Sequence, residues 1–391
     1  MMAAIQASMN GAQVTIYEKS DRVGKKILAT GNGKCNLSNT DMDISNYYCA
    51  DYSKLEACFA RFSTEDTISF FENCGLMIRN RDGYLYPYCE QASAVLDVLR
   101  ANLKRYNVEV ISDVTDIAIS VKKNGLFMVE SSFGKKDYDS VILACGSRAG
   151  MKNATTESYD YAKTFGHRIV PLLPALVQIR CEGEYFVSVA GVRCKAKLTL
   201  YTRDKEPVYE QGELQLTDYG ISGIPVFQIS RIIATELKNK SDIHVDIDFI
   251  PEMNDIEWDE YVDMRIGIYM GFTLEEFLTG MLHKKINLML LKKYSLKPGD
   301  KLNDKNKNTV LKICREMKCF TVIPKSVNGY EQAQVCSGGV DFSQLNENLE
   351  SIYQPGLFIC GEMVDVDGKC GGYNLQWAWT SGYIAGVSAA K

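Results

Sequence analysis

Histidine is scarce in this chain of 391 residues, which contains three histidines and thirteen cysteines. The histidines, His167, His244 and His283, stand apart, and neither an H-x-x-x-H pair nor a Cys–His cluster occurs. No two cysteines have the C-x-x-C spacing. Zinc sites and histidine-based hydrolytic triads are built from such histidines and cysteines, so the sequence indicates neither kind of site. We therefore predict no metal site.

Long hydrophobic runs and a strong net charge are also missing. The apolar stretch from Met1 to Met9 is far shorter than the about 20 residues that a membrane-spanning helix needs. The formal net charge is −5, so no general attraction to nucleic acid or acidic membranes is expected. An odd number of cysteines without regular spacing, and no signal peptide, indicate reduced thiols in a cytoplasmic protein.

The most informative stretch is residues 24–39, G-K-K-I-L-A-T-G-N-G-K-C-N-L-S-N, which we call the first glycine-rich run. Its composition cannot form a core, but its backbone N–H groups can approach a flat polar ligand. The β-branched run from Val14 to Tyr17 precedes it and is typical of a buried parallel strand. Glu18 ends that strand, where dinucleotide-binding folds bind the adenosine ribose hydroxyls.

A dinucleotide-binding unit normally begins with a strand and the phosphate loop G-x-G-x-x-G, and neither precedes Glu18 here. The chain instead starts inside an apolar helical pattern that has no N-cap residue and ends at Gly11. Either the assigned start codon lies too far downstream, or the strongest pyrophosphate contact has been lost. The uncapped helix favours the first interpretation.

Hydrophobic periodicity predicts an α/β fold that is interrupted and then resumed. Residues 1–168 alternate helices and strands, and a buried strand over 141–145 runs into Gly146. Residues 169–254 contain short strands with no helices between them, typical of an antiparallel β subdomain, and residues 255–320 are mostly helical. Residues 321–391 return to α/β, with a buried strand over 357–360 and a final helix. The sequence thus predicts a Rossmann-like domain split by an inserted antiparallel β subdomain and a helical lobe.

The second glycine-rich run, residues 361–376, reads G-E-M-V-D-V-D-G-K-C-G-G-Y-N-L-Q. The carboxylates of Glu362 and Asp365 can accept hydrogen bonds from ribityl hydroxyls. The N-terminus of the last helix would offer free N–H groups and partial positive charge to an anionic reduced flavin, and Asn374 could cap that helix with its side chain. Taken alone, such a run is also typical of a glycine-rich turn before a docking helix.

Charge is unevenly distributed in the predicted insertion. Residues 241–276 hold eleven Asp or Glu and one Arg, whereas residues 284–318 hold eleven Lys or Arg and three acids. The favoured interpretation is two oppositely charged surfaces that are solvated or face each other. The alternative is a basic surface that binds RNA or an anionic partner, but aromatic residues are not interleaved with the basic ones.

Together these segments resemble the BaiN-type family of FAD-dependent oxidoreductases over nearly the whole chain. The resemblance rests on the two glycine-rich runs and on Gly212 to Gly223, G-E-L-Q-L-T-D-Y-G-I-S-G. It implies that the split Rossmann-like domain binds FAD. Glu18, with Lys19 beside it, would bind the adenosine ribose, and the backbone of Val114 would meet the adenine. The other residues predicted to bind FAD are Lys26, Thr30, Gly31, Cys35, Asn36, Gly146, Gly361, Glu362, Asp365, Gly372, Tyr373 and Asn374.

The resemblance implies hydride transfer through flavin N5 to or from a small organic substrate, such as the NAD(P)H-dependent reduction of an enone. No second nucleotide-binding fingerprint is present, so NAD(P)H would bind transiently at the flavin face. Two alternatives stay open: an oxygen-using amine oxidase, and a non-catalytic flavin-stabilised protein that associates with RNA or ribosomes. Cys35 is either a thiol activated by neighbouring lysines or, as we favour, a small packed residue. The sequence identifies no catalytic acid or base.

Overall fold

The structure, a computed structural model, describes residues 1–151, 156–203 and 205–391. The chain divides into two compact units, residues 1–173 with 334–391 and residues 174–333. The predicted α/β architecture with a Rossmann-like domain is confirmed. The boundaries that the sequence suggests at residues 168, 254 and 320 stay predictions.

The first unit is built from both ends of the chain. Its helices are Met2–Met9, Tyr52–Arg61, Thr64–Asn73, Ala92–Arg105, Ser158–Thr164 and Tyr373–Ala389. Its strands are Thr15–Tyr17, Ser38–Asn39, Tyr47–Cys49, Ile78–Arg81, Tyr84–Pro87, Glu109–Ile111, Ala118–Val121, Phe127–Ser131, Gly134–Tyr138, Val141–Leu143, Ile169–Ala175, Val335–Val340, Leu357–Ile359 and Val366–Gly368. Short 3-10 turns occupy Lys25–Gly33, Ile44–Asn46, Phe342–Gln344 and Gly361–Met363.

Two pairs of parallel strands carry the Rossmann-like character of this unit. Thr15–Tyr17 pairs with Glu109–Ile111, and Val141–Leu143 pairs with Leu357–Ile359. All three residues of Leu357–Ile359 are buried, as expected for a parallel strand that is covered on both faces. The final helix, Tyr373–Ala389, packs on the second pair, so the start of this helix lies in the same unit as the ends of these strands.

The second unit contains one antiparallel sheet of seven strands and the remaining helices. Its strand order is Phe320–Val322, Ile243–Asp248, Arg193–Thr202, Lys205–Leu216, Gly220–Gly223, Ile179–Cys181 and Pro324–Val327. Its helices are Phe186–Val189, Ile224–Lys238, Asp255–Tyr269, Leu274–Leu278, Lys284–Lys293 and Lys307–Lys318. Sheet and helices share one apolar cluster. Among the described residues, no helix is both long and apolar enough to cross a bilayer.

The expectation of strands without intervening helices is wrong for part of this unit. The short helix Phe186–Val189 lies between two strands, and the 15-residue helix Ile224–Lys238 follows the strand Gly220–Gly223. The signal for the longer helix was present in the sequence, because Val226, Ile229 and Ile233 recur at helical spacing and are fully buried. Proline in its first turn is a further start signal.

Candidate functional site

The two glycine-rich runs lie against each other in the first unit. A Cβ atom on Gly372 would stand 2.5 Å from the carbonyl carbon and oxygen of Ser38, so only glycine allows this approach. Asn39 Nδ2 donates a hydrogen bond to the Gly371 carbonyl at 3.0 Å, and Ser38 Oγ donates to Gln376 Oε1 at 2.6 Å. These bonds join residues 332 and 338 positions apart in the chain. The fold therefore brings both predicted ligand-binding runs to one place.

Gly146 and Gly361, the strand-end glycines, follow the carboxyl ends of the parallel strands Val141–Leu143 and Leu357–Ile359. Their φ angles are +69° and +68°, and no atom of the described residues lies within 4 Å of the position that a Cβ would take on either residue. Cys145 is solvent-accessible, yet burial raises the pKa of its thiol to about 11. Ligands of open α/β sheets bind at this end of the strands.

Glu362 is the centre of a group of polar contacts beside the strand-end glycines. Its carboxylate forms an ion pair with the Lys26 ammonium and accepts hydrogen bonds from Ser147 Oγ at 2.6 Å and from the Cys336 backbone N–H at 3.0 Å. We call these four residues the Glu362 cluster. The Lys26 and Glu362 side chains are 32% and 19% exposed, so both charges are partly shielded from water. Ser147 and Cys336 were not predicted, because neither lies in a recognisable motif.

The residues predicted for the adenosine end also lie together. Glu18 Oε1 accepts a hydrogen bond from the Ser20 backbone N–H at 2.8 Å, which holds the carboxylate at the end of its strand. The Val114 N–H donates to the Glu18 carbonyl at 3.0 Å. Of the two backbone polar groups of Val114, the carbonyl therefore remains to bind an adenine. Lys19 is exposed and pairs with Glu157 at 3.6 Å. The carboxylate of Glu18 is thus oriented by the backbone rather than by Lys19.

Asn36 carries an unsatisfied polar group in the first glycine-rich run. The residue is 8% exposed, and its Oδ1 has no hydrogen-bond partner among the described residues. A buried acceptor without a donor costs about 1–3 kcal/mol, so such an atom is a candidate ligand-binding group. Its backbone nitrogen lies 2.9 Å from the position that a Cβ would take on Gly31, which explains why glycine occupies residue 31. An imide N–H, such as that of a flavin ring, would satisfy Oδ1.

Thr30 and Cys35 shape the loop instead of extending out of it. Thr30 Oγ1 donates to the Ile27 carbonyl at 2.6 Å, and the Cys35 N–H donates to the Thr30 carbonyl at 3.0 Å. Cys35 is fully buried, and burial raises the pKa of its thiol to about 11. The neighbouring Lys34 is paired with Glu90 at 2.7 Å. The alternative that lysines activate Cys35 as a reactive thiol is therefore wrong, because desolvation dominates its environment.

Asn374 does not cap the final helix, contrary to expectation. The helix begins at Tyr373 with Gly372 as its N-cap residue and without a side-chain cap. The Asn374 amide instead closes the preceding turn, where Oδ1 accepts from the Gly368 N–H at 2.9 Å and Nδ2 donates to the Gly368 carbonyl at 2.8 Å. Both sides of the amide are engaged, so none of it is left for the helix. A role of Asn374 beside the isoalloxazine stays a prediction.

Tyr373 and Asp365 also interact with other residues of the protein. The ring of Tyr373 lies edge-on to Tyr47, with 5.7 Å between ring centroids, and burial raises the pKa of Tyr373 to about 12. The pKa of Arg168 is raised chiefly by its hydrogen bond to Asp341, and the charge of Asp365 adds to this effect. Of the two acids predicted for the ribityl chain, Glu362 lies beside the strand-end glycines and Asp365 lies within electrostatic reach of Arg168. Their binding roles stay predictions.

Asn374→Leu should lower the free energy of unfolding by about 2–4 kcal/mol, because it removes three hydrogen bonds, two to Gly368 and one to the Lys369 carbonyl, and leaves both polar groups of Gly368 unsatisfied. Urea unfolding of the two proteins would measure the difference. Asn73→Leu, at the exposed end of Thr64–Asn73, is the matched control and should change stability by no more than about 0.5 kcal/mol. Equal stability of Asn374→Leu and the unsubstituted protein would contradict the role of this amide.

A tyrosine hairpin that the sequence did not reveal reaches both glycine-rich runs. It consists of the strands Ile78–Arg81 and Tyr84–Pro87. Tyr84 Cε1 lies 3.0 Å from the position of a Cβ on Gly371, and Tyr86 Cε1 lies 3.7 Å from that of a Cβ on Gly31. The register Ser38↔Leu85 fixes the hairpin against the first glycine-rich run. Tyr84 and Tyr86 share one face because side chains alternate along a strand.

The oppositely charged runs of the second unit meet at two ion pairs. Lys284 pairs with Glu275 and Lys318 with Asp248, each at 2.7 Å. These contacts support the interpretation that the two charged surfaces partly face each other. The exposed basic side chains of this run include Lys292, Lys297, Lys301, Lys305, Lys312 and Arg315. Binding of nucleic acid through this surface stays a prediction.

Known proteins are similar to this chain over its whole length. The family model described as the HI0933-like protein Rossmann domain matches residues 1–388. The 3-dehydro-bile acid delta(4,6)-reductase of Clostridium scindens is 38% identical over 398 residues, covering 100% of this chain and 96% of that protein. The ribosomal RNA dihydrouridine synthase of Haemophilus influenzae is 26% identical over 402 residues, with the same coverage of 100% and 96%.

Among solved structures, the 3-ketosteroid-delta4-(5alpha)-dehydrogenase of Rhodococcus jostii RHA1 matches 100% of this chain and 94% of its own, at 13% identity and a TM-score of 0.45. The resemblance to BaiN-type proteins is confirmed by the family model and by the 38% identical reductase. The chain therefore belongs to the family of HI0933-like Rossmann-domain proteins, and it is an FAD-dependent oxidoreductase.

Proposed function

We propose that this enzyme reduces a carbon–carbon double bond conjugated to a carbonyl group in a small organic molecule, with NAD(P)H as a transient electron donor. The observation that carries the proposal is the meeting of both glycine-rich runs beside the strand-end glycines, with the Glu362 cluster next to them. One site in the first unit thus presents three features to a flat polar ligand. These are backbone that no Cβ obstructs, the partly exposed charges of Lys26 and Glu362, and the unpartnered Oδ1 of Asn36.

The names of the relatives support this reaction class. One is a delta(4,6)-reductase of a 3-dehydro-bile acid, and the other makes dihydrouridine in ribosomal RNA. Dihydrouridine arises when the ring double bond of uracil, which is conjugated to a carbonyl, is saturated. Both names therefore describe the addition of a hydride and a proton across an activated double bond, although the two substrates differ greatly in size.

The residues at this site fit FAD. Glu18 would accept hydrogen bonds from the adenosine ribose, and Gly146 and Gly361 would let the backbone approach the cofactor without an obstructing Cβ. Asn36 Oδ1 would accept from the imide N–H of the ring. When bound, the flavin supplies hydride transfer between NAD(P)H and the substrate.

The chain itself would supply electrostatics and shape. The ammonium of Lys26 is held beside the strand-end glycines by Glu362, where it would favour the extra negative charge of a reduced cofactor. The uncapped N-terminus of Tyr373–Ala389 adds partial positive charge nearby. Tyr84 and Tyr86 would cover the substrate and limit access of water to it.

Anaerobic half-reactions would test the proposal. The purified protein should be yellow and release FAD, NADH or NADPH should bleach it, and 4-androstene-3,17-dione should restore the colour with formation of a saturated ketone. A protein that cannot be loaded with FAD, or a bleached flavin that no enone reoxidises, would overturn the proposal. Bleaching by an amine and recovery only with oxygen would instead identify an amine oxidase.

RNA is a second candidate substrate, favoured by the dihydrouridine synthase relative and by the exposed basic side chains of residues 284–318. Unmodified ribosomal RNA should then reoxidise the bleached flavin, and the rate should fall steeply with salt. Lys312→Glu should weaken that reaction and leave the reaction with the ketosteroid unchanged. We place the small molecule first, because the relative that acts on a bile acid is 38% rather than 26% identical.

We also propose that the protein resides in the cytoplasm. All thirteen cysteines are free thiols in the structure, and reduced thiols are typical of a reducing compartment. Fluorescence microscopy of a tagged chain would test the location.

A further inference from the structure

We propose that Tyr86 is the proton donor that completes the reduction of the activated double bond. This inference rests on the proposed function and adds to it the acid that the sequence does not identify. Tyr86 belongs to neither glycine-rich run, and the tyrosine hairpin alone places it at the site.

The reaction needs such a donor. The bound flavin would supply a hydride to the β-carbon of the substrate, and the electron pair of the double bond would move toward the carbonyl to give an enolate. The α-carbon must then gain a proton, so that the substrate takes up two electrons and two hydrogens while the flavin is oxidised. In our proposal the Tyr86 O–H bond breaks, its proton goes to the α-carbon, and water reprotonates the phenolate.

The position of Tyr86 suits this role. Its Cε1 atom lies 3.7 Å from the position of a Cβ on Gly31, in the first glycine-rich run. The electrostatic influence of Cys370, in the second glycine-rich run, also reaches Tyr86. Asn36, whose Oδ1 is unpartnered, also lies against Gly31, with its Cβ 3.7 Å from the same position. Tyr86 is thus close to both segments that surround the proposed flavin.

Tyr86 is also an available acid at this place. It is half-buried, and among the described residues no hydrogen bond of its hydroxyl is found, so the O–H can donate to a ligand. Other candidates are already engaged or enclosed. Cys35 is fully buried, Ser147 Oγ donates to Glu362, and Tyr373 is packed edge-on against Tyr47.

The electrostatic surroundings keep Tyr86 protonated. Burial raises the pKa of its hydroxyl above the usual 10, and the charges that Cys370, Tyr84 and Glu90 can carry add to this, whereas Arg81 opposes it. A phenol whose pKa is raised stays neutral across the physiological range and serves as an acid rather than as a base. The proton is therefore present whenever the substrate arrives near neutral pH.

Tyr86→Phe in the FAD-loaded protein would test the role, with Tyr88→Phe as the matched control. Tyr88 lies beyond the hairpin strand, 50% exposed and stacked with Arg79 at 4.2 Å. Bleaching by NAD(P)H should be unchanged in both variants, because this reduction of the flavin comes before the substrate is protonated. Reoxidation by the enone should be about 100-fold slower or more in Tyr86→Phe, as expected for the loss of a general acid, and unchanged in Tyr88→Phe.

A nitroalkene separates proton donation from a merely structural role. Its nitro group stabilises the anion left by hydride addition, so hydride transfer from the bleached flavin does not need a proton donor. Tyr86→Phe should therefore be reoxidised by 1-nitrocyclohexene at nearly the unsubstituted rate and release the nitronate, while it fails with the enone. Its FAD content and melting temperature should match those of Tyr88→Phe.

Several outcomes would overturn the inference. Equal enone rates in Tyr86→Phe and the unsubstituted protein would exclude Tyr86 as the donor, and so would equal slowing with the enone and the nitroalkene. Loss of FAD or of folding in Tyr86→Phe would assign the residue a structural role instead. If the unsubstituted protein reduces no enone, the proposed function fails, and this inference fails with it.

Discussion

Replacing Gly361 by alanine should weaken FAD binding by about 10- to 100-fold, the cost of losing one charge-assisted contact of about 1.5–3 kcal/mol. Gly361 has φ of +68°, and no atom of the described residues lies within 4 Å of the position that a Cβ would take. A methyl group there would not collide with the protein, but it would hold the cofactor away from the end of the strand Leu357–Ile359. Titration of the unloaded protein with FAD, followed by flavin fluorescence, measures the change.

Gly75→Ala separates the cofactor effect from backbone strain. Gly75 also has a positive φ, +92°, with no atom within 4 Å of its Cβ position, but it lies outside both glycine-rich runs. Both variants should lose about 1–2 kcal/mol of stability, because a side chain disfavours left-handed backbone. Only Gly361→Ala should lose FAD. Equal FAD affinity in the two variants would mean that Gly361 does not face the cofactor.

Glu362→Leu should lower the free energy of unfolding of the unloaded protein by about 2–4 kcal/mol. The substitution leaves the Lys26 ammonium, the Ser147 hydroxyl and the Cys336 N–H without their shared acceptor. Because the two charges of the ion pair are partly exposed, water compensates some of this loss, and we place the effect below that of a fully buried pair. Urea unfolding measures it.

Two controls show whether the loss of stability in Glu362→Leu comes from the Glu362 cluster. Glu362→Gln keeps an acceptor oxygen for Ser147 and Cys336 and replaces the charged oxygen that pairs with Lys26 by an NH2 group, so it should cost less than half as much as Glu362→Leu. Glu213→Leu breaks the exposed ion pair between Arg193 and Glu213, whose atoms lie 3.0 Å apart with side chains 61% and 62% exposed, and should cost at most about 1 kcal/mol. If Glu213→Leu were as destabilising as Glu362→Leu, the Glu362 cluster would stabilise the fold no more than an exposed ion pair does.

The positions of the strand ends could be predicted from the sequence because the relevant signals are local. An apolar run that stops at a glycine marks a parallel strand and its end, and parallel strands lie at Val141–Leu143 and at Leu357–Ile359. Leu357–Ile359 is buried throughout, whereas only Leu143 of the other strand is buried, so the burial predicted over 141–145 is wrong. The final helix was also predicted, because its apolar stretch is long. The helix Ile224–Lys238 was not predicted, although its apolar residues have helical spacing, because the strand patterns on either side of it outweighed this signal.

Side-chain partners were harder to predict than elements. The capping role expected of Asn374 was wrong because the turn at Gly368 comes close enough to take both sides of its amide. The reactive thiol considered for Cys35 was wrong because burial outweighs neighbouring lysines that are themselves paired. In both cases the three-dimensional packing around the side chain, and not its neighbours along the chain, decided which contacts formed.

By itself the sequence determined the family, the α/β class and the two glycine-rich runs, because these depend on composition, spacing and local conformation. Only the tertiary structure decided that Lys26 meets Glu362, 336 positions away, that Ser147 and Cys336 join them, and that a strand hairpin brings Tyr86 to the site. Contacts between distant residues depend on how strands pair and helices pack. That information is spread over the whole chain, and no single segment contains it.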